Sequence, residues 1–112
     1  TGMQESDARP SRVETAADLD ALIHDNDRLL VEFFTEGCGV CASMEPGLGV
    51  VAKETGVAVA LVNPRDDPAL IEEYDIRSVP TLVLFEDGEA VDRLADGFVG
   101  AERLIEFVGS SD

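Results

Sequence analysis

Leu29-Leu30-Val31-Glu32-Phe33-Phe34-Thr35-Glu36-Gly37-Cys38-Gly39-Val40-Cys41 is an apolar run, a breaker, and two cysteines three positions apart. The first six residues lack polar alternation except at Glu32, the pattern of a strand covered on both faces, as in a parallel sheet. Thr35-Glu36-Gly37 ends that strand. Beyond it Cys41, Met44, Leu48 and Val51 recur on one face of a helix that runs to about Thr55. Pro46 is expected to kink this helix, and Gly47 and Gly49 each weaken it by roughly 1 kcal/mol relative to Ala, so packing must hold it. The cysteine pair therefore falls where a strand gives way to a helix. Unpaired backbone N–H groups and the positive end of the helix favour a thiolate there. Cys38, the outermost, is expected to have its pKa lowered to about 7, as in other pairs of this spacing. Cys41, one turn further in, is expected to be buried and to resolve whatever Cys38 captures.

Toward the N-terminus, Thr15-Ala16-Ala17-Asp18 has the form of a capping box with Asp in place of Glu. Leu19, Leu22 and Ile23 share a face of the helix it opens, and Asp25-Asn26-Asp27 closes it. Arg12 to Glu14 reads as a short edge strand. Residues 1–12 read as a disordered leader, with the domain proper at residues 13–112. Toward the C-terminus, Val57 to Val62 is a second buried strand and Asn63-Pro64-Arg65-Asp66 a loop. Asp67 as N-cap and Pro68 as first residue predict a short helix to about Tyr74, with Leu70, Ile71 and Tyr74 facing the core. Thr81 to Phe85 is a third strand, Asp87-Gly88 a hairpin turn, Ala90 to Ala95 an edge strand, and Ala101 to Val108 a closing helix with Leu104, Ile105 and Val108 inward. The order β-α-β-α-β-α-β-β-α predicts an α/β fold: a mixed central sheet, largely parallel at its centre, with helices on both faces.

The whole chain has 112 residues, enough for one domain that buries roughly two-thirds of its unfolded surface without a covalent staple. Its hydrophobic fraction of 45 % is that of a folded chain. Twenty-four acids against 8 bases, a net charge of −16, exclude nucleic acid as a partner and disfavour anionic lipid. The longest purely apolar run, Val57 to Val62, is too short to span a membrane. Thr1 to Arg12 holds no apolar signal segment, so a cytoplasmic location is expected. The acids are spread along the chain and Lys53 is the only lysine. That pattern predicts the acidic shell of a halophilic protein working in molar salt, where the Debye length is about 3 Å; the plainer alternative is an acidic protein of ordinary salinity. No glycine-rich dinucleotide fingerprint occurs, so no resident cofactor is expected.

Three readings of the cysteine pair compete. Tetrahedral zinc needs four ligands, whereas the chain offers two cysteines and His24, predicted on another helix, which leaves only a site shared across a dimer. A structural disulfide closing so small a loop restrains the unfolded chain little. Redox chemistry fits the strand–Cys-x-x-Cys–helix context best. Glu32, six positions before Cys38, is either turned to solvent by strand twist or buried with a raised pKa, placed to take a proton from Cys41. Val79-Pro80-Thr81 precedes a strand, where proline needs no special reason and X-Pro bonds are mostly trans.

Val31-Glu32-Phe33-Phe34, Cys38-Gly39-Val40-Cys41, Pro46, the run from Tyr74 to Phe85, and Asp87-Gly88-Glu89 follow one another in the order and spacing of thioredoxins. Over about residues 13–109 the chain resembles that family. The resemblance implies a thioredoxin-like fold and a protein thiol–disulfide oxidoreductase. It reduces disulfide-containing protein substrates through a reversible Cys38–Cys41 disulfide, takes electrons from an external reductase, and acts as a monomer. It also implies that Pro80 is cis beside the dithiol and that the Val79 backbone pairs with the substrate chain. Glu32 stands where the family has a buried Asp, Pro46 where it has a helix-kinking proline, and Gly97 near its substrate-groove glycine. Gly39 and Val40 belong to the implied substrate-binding surface. The departures are specific. The family's Trp-Cys-Gly-Pro-Cys-Lys is Gly37-Cys38-Gly39-Val40-Cys41-Ala42 here, a strand tryptophan is Phe34, and the lysine beside the buried acid aligns with Leu61. Replacement of the inter-cysteine proline, in that family, usually shifts the potential toward the oxidising side. A thioredoxin-like binding module with an incidental dithiol and a metal-binding dimer are the alternative functions.

Overall fold

The computed structural model describes residues 10–109. It holds strands β1 (Ser11–Val13), β2 (Arg28–Phe33), β3 (Ala58–Val62), β4 (Thr81–Glu86) and β5 (Glu89–Leu94) and helices α1 (Ala16–Asp25), α2 (Gly39–Thr55), α3 (Ala69–Tyr74) and α4 (Ala101–Gly109), with a 3₁₀ turn at Pro64–Asp66. The strands form one sheet in the order β1-β3-β2-β4-β5. Strand β3 runs parallel to both β1 and β2, whereas β2 pairs antiparallel with β4, and β4 with β5. The expected parallel centre is thus parallel on one side only. The connection from β3 to β4, residues 63–80, does not carry the chain back along the sheet: β4 starts at the end where β3 stopped, with Thr81 opposite Phe33 and Phe33 opposite Val62.

The alternation within β2 divides the core between the two faces of the sheet. Leu30, with Leu82 and Leu84, packs against Met44 and Leu48 of α2 and Leu104 and Phe107 of α4. Leu29, Val31 and Phe33 pack against Leu19 and Ile23 of α1 and Leu70 of α3. Helices thus cover both faces, as expected. Thr15 caps α1, its Oγ1 accepting from the Asp18 N–H at 3.0 Å. The Asp87-Gly88 turn has φ of 53° and 88°, the two positive values a two-residue hairpin of this twist requires.

Several details differ from expectation. The expected edge strand from Arg12 to Glu14 is β1, one residue earlier, so Ser11 and Arg12 of the expected leader belong to it; residues 1–9 of that leader lie outside the described residues. Asp67 does not cap α3, where Pro68 takes the N-cap position without a side-chain bond. Its Oδ2 instead accepts from the Ala16 N–H at 2.8 Å, satisfying the open end of α1. The Asn63–Asp66 loop is a 3₁₀ turn held by Asn63 Oδ1, which accepts from the Arg65 N–H at 3.0 Å. Ile71 is 40 % exposed: in so short a helix only the face bearing Leu70 and Tyr74 meets the sheet, and Ile71 lies about 100° away. In α4 the buried set is Leu104, Phe107 and Val108, with Ile105 only partly covered.

Candidate active site

Strand β2 hands its last ladder bond to the next residue, the Phe34 N–H donating to the Val62 carbonyl at 2.9 Å. The chain then turns at Gly37, φ 81°, a backbone that side-chain-bearing residues rarely adopt. A tryptophan at this position would be strained in this conformation, so its absence goes with the local backbone. Cys38 follows as the N-cap of α2, its Sγ accepting from the Cys41 N–H at 3.1 Å. Cys38 and Cys41 are joined in a disulfide with Cα atoms 5.3 Å apart. Cys38 is half-buried while Cys41 is 2 % exposed. A thiolate at Cys38 would accept the same backbone N–H as a charge-assisted bond, at the positive end of a 17-residue helix. The asymmetry of exposure matches the assignment of Cys38 as outer sulfur and Cys41 as inner one.

Glu32 is fully buried, and among the described residues neither carboxylate oxygen has a hydrogen-bond partner. It sits on the α2–α4 face of β2, opposite Leu61 of β3 on one side and Leu82 of β4 on the other. The position aligned with the family's lysine is thus Glu32's direct neighbour across the sheet, and it is apolar. Burial, reinforced by the negative charge of Glu45, pushes the Glu32 carboxyl up to about 8. The solvent-facing alternative for Glu32 is excluded. Glu45 itself is exposed on α2, one turn beyond Cys41. Its spacing of four from Cys41 was the signal that could have marked it beforehand.

Two depressions meet at Thr35. One, of about 100 Å³, is bounded by Cys38, Cys41, Phe34, Glu45, Arg12 and Glu36. The Arg12 guanidinium lies 4.7 Å from the centre of the Phe34 ring and bonds Glu36 at 3.2 Å. Nothing in the local pattern marked Arg12, which reaches the site only because β1 joins the sheet's edge. The other depression, of about 160 Å³, runs past Pro64, Ile71 and Ile76 to Val79. Val79–Pro80 is cis, with Val79 half-buried and Pro80 buried. Gly39 and Val40 are exposed on the first turn of α2. Gly97, φ 83°, lies in the loop between β5 and α4 and borders neither depression.

An α/β sheet that presents a bonded cysteine pair at a helix tip, with a buried acid in the strand leading to it, defines a domain for dithiol–disulfide exchange. The thioredoxin family model matches residues 11–110. A thioredoxin of Chlamydia caviae is 40% identical over 81 residues, 71% of this chain and 78% of that protein. Among solved structures, a mutant thioredoxin from Halobacterium salinarum superposes with a TM-score of 0.87 at 36% identity, covering 93% of this chain and 91% of that one. A Fasciola hepatica thioredoxin gives 0.80 at 30% identity, covering 91% and 99%. The chain belongs to the thioredoxin family, and its fold is the thioredoxin fold. It is a thiol–disulfide oxidoreductase, a protein-disulfide reductase; a pure binding module and a metal-binding dimer are not favoured. No helix among the described residues is long and apolar enough to cross a membrane.

Proposed function

We propose that Cys38 is the attacking thiolate and Cys41 the resolving thiol in the reduction of protein disulfides. The Cys38 sulfur attacks one sulfur of the substrate disulfide, forming a mixed disulfide and expelling the first substrate thiolate, which takes a proton from solvent. Cys41 then loses its proton and attacks the Cys38 sulfur. The mixed disulfide breaks, the second substrate thiolate leaves and is protonated, and the Cys38–Cys41 disulfide remains. Two protein thiols are oxidised and one substrate disulfide is reduced, so an external dithiol reductase must return two electrons before the next cycle.

Glu32 exchanges the Cys41 proton. A carboxyl pushed up to about 8 by burial is poised to release and take up a proton near neutral pH. The Val79 backbone, with Pro80 behind it and Gly39 and Val40 at the helix tip, receives the substrate chain. The observation that carries this reading is the Cys38 sulfur seated as cap of α2, half-exposed, against a buried Cys41. Replacing Cys38 with Ser is expected to abolish reduction of an insulin disulfide, and Cys41→Ser to accumulate covalent mixed disulfides. Undiminished turnover by the Cys38→Ser protein would overturn the assignment.

The setting proposed is a monomer in a reducing, saline cytoplasm. Its support is the acid excess with a single lysine, together with the likeness to the Halobacterium protein.

A further inference from the structure

Three other depressions among the described residues are each bordered by at least two acids: Glu73, Asp75 and Asp92; Asp92 and Glu106; Glu36 and Glu45. The groove from Thr35 to Val79 is different. It is bordered by Arg65 and Arg77 and by no acid at all. On a chain with 24 acids and 8 bases, this groove has two bases and no acid in its lining, so a ligand seated in it meets cationic side chains at contact distance. The rest of its lining is apolar or neutral, and Ile71 stands there 40 % exposed. Arg77 Nε bonds Asp75 Oδ1 at 3.1 Å, but both side chains are largely in solvent, so that pair exchanges readily for a partner that also excludes water. Asp66 and Asp67 follow Arg65 in sequence without bordering the groove. The volume of about 160 Å³ is below that of a small-molecule site and has room for a single side chain.

We infer that this groove selects among substrates: it takes a segment flanking the target cysteine that carries an apolar side chain followed by acidic ones, the first seated against Ile71 and Ile76 and the second paired with Arg65 and Arg77. The inference rests on the disulfide-exchange reading above, because Thr35 joins the groove to the depression containing Cys38 and Cys41. The physical content is a reversal. At −16 the molecule as a whole repels an acidic peptide and attracts a basic one. A preference for the acidic peptide therefore has to come from a local feature.

The test uses three peptides, each with one cysteine capped as a 2-pyridyl disulfide and flanked on both sides by Leu-Glu-Glu, Leu-Gln-Gln or Leu-Lys-Lys. Their reduction by the reduced protein is followed by thiopyridone release. In 1 M KCl, where the long-range repulsion of the acidic shell is screened, the parent is expected to reduce the glutamate peptide about fivefold faster than the lysine peptide, with a smaller ratio at low ionic strength, where the net charge of −16 opposes it. The double variant Arg65→Gln, Arg77→Gln is expected to lose that preference. Arg103→Glu makes the same change in net charge on α4, where Arg103 faces Asp96, and is expected to keep the parental preference. All proteins should react equally with neutral 2,2′-dithiodipyridine; failure there would strike the exchange chemistry itself, not the groove. A parental ratio of one or less in 1 M KCl, or a glutamate preference that persists in the double variant, overturns the inference.

Discussion

Glu32→Gln should change the pH dependence of stability by an amount that follows from the burial of this carboxyl. The unfolded chain ionises this carboxyl near 4.5, the folded protein only near 8. Between those values the folded state holds a proton that the unfolded state has released. Stability therefore falls as pH rises through this window and is unaffected by Glu32 below about 4.5, where both states are protonated. At about 1.4 kcal/mol per pH unit, the loss reaches about 3 kcal/mol by pH 7 and levels off near 5 kcal/mol above pH 8. Glutamine keeps the shape and removes the titration. The other acids are common to both proteins, so the difference between parent and variant reports Glu32 together with its coupling to Glu45. Urea unfolding of the oxidised proteins, followed by circular dichroism at pH 4.5, 6, 7 and 8.5 and fixed ionic strength, should show the variant gaining on the parent across the series. Domains of this kind hold only about 5–15 kcal/mol in total, so the effect is well outside error. A difference that is the same at pH 4.5 and pH 8.5 would refute the reasoning, because a carboxyl that ionises in the folded state as it does in the unfolded one is not desolvated.

The neighbouring substitution Leu61→Lys places an ammonium across the sheet from Glu32; the same unfolding series should show a pH-dependent loss that still sets in near pH 4.5 but levels off at least one unit lower and is smaller by about 1.4 kcal/mol, as the carboxylate acquires a counter-charge. Asp67→Ala removes the acceptor from the Ala16 N–H and should cost about 1 kcal/mol in urea, with Asp67→Asn recovering most of it. Molar KCl should raise the thermal midpoint of the parent by screening its 24 acids, and a midpoint unmoved by salt would count against the saline reading.

Much of the site could be read before any coordinates because its signals are local. Cys38 and Cys41 sit three apart at a strand–helix junction, and the apolar residues two positions either side of Glu32 put it on the covered face. Periodicity placed every strand and helix to within a residue or two. What escaped depends on residues far apart in the chain. Arg12 meets Phe34, and Asp67 meets Ala16, only because the sheet brings β1, β2 and the start of α3 to one end. The antiparallel pairing of β2 with β4 escaped because the connection at residues 63–80 is long enough for either strand direction, so pattern alone underdetermined it. In α4 Leu104 and Val108 are inward as expected, with Ile105 packed beside them only partly covered, and Phe107 joins them; both sets fit a stripe about 100° wide, so pattern could not choose between them.

The bond from the Ala16 amide to Asp67 spans 51 residues. A chain emerging from the ribosome can form α1 early, but the Ala16 amide is left to water until Asp67, 51 residues further on, has been made. Until then the helix depends on Thr15 alone at that end. Docking of the N-terminal segment is thereby coupled to completion of the β3–α3 connection, and a nascent chain halted before Asp67 should leave this segment open to proteases and chaperones.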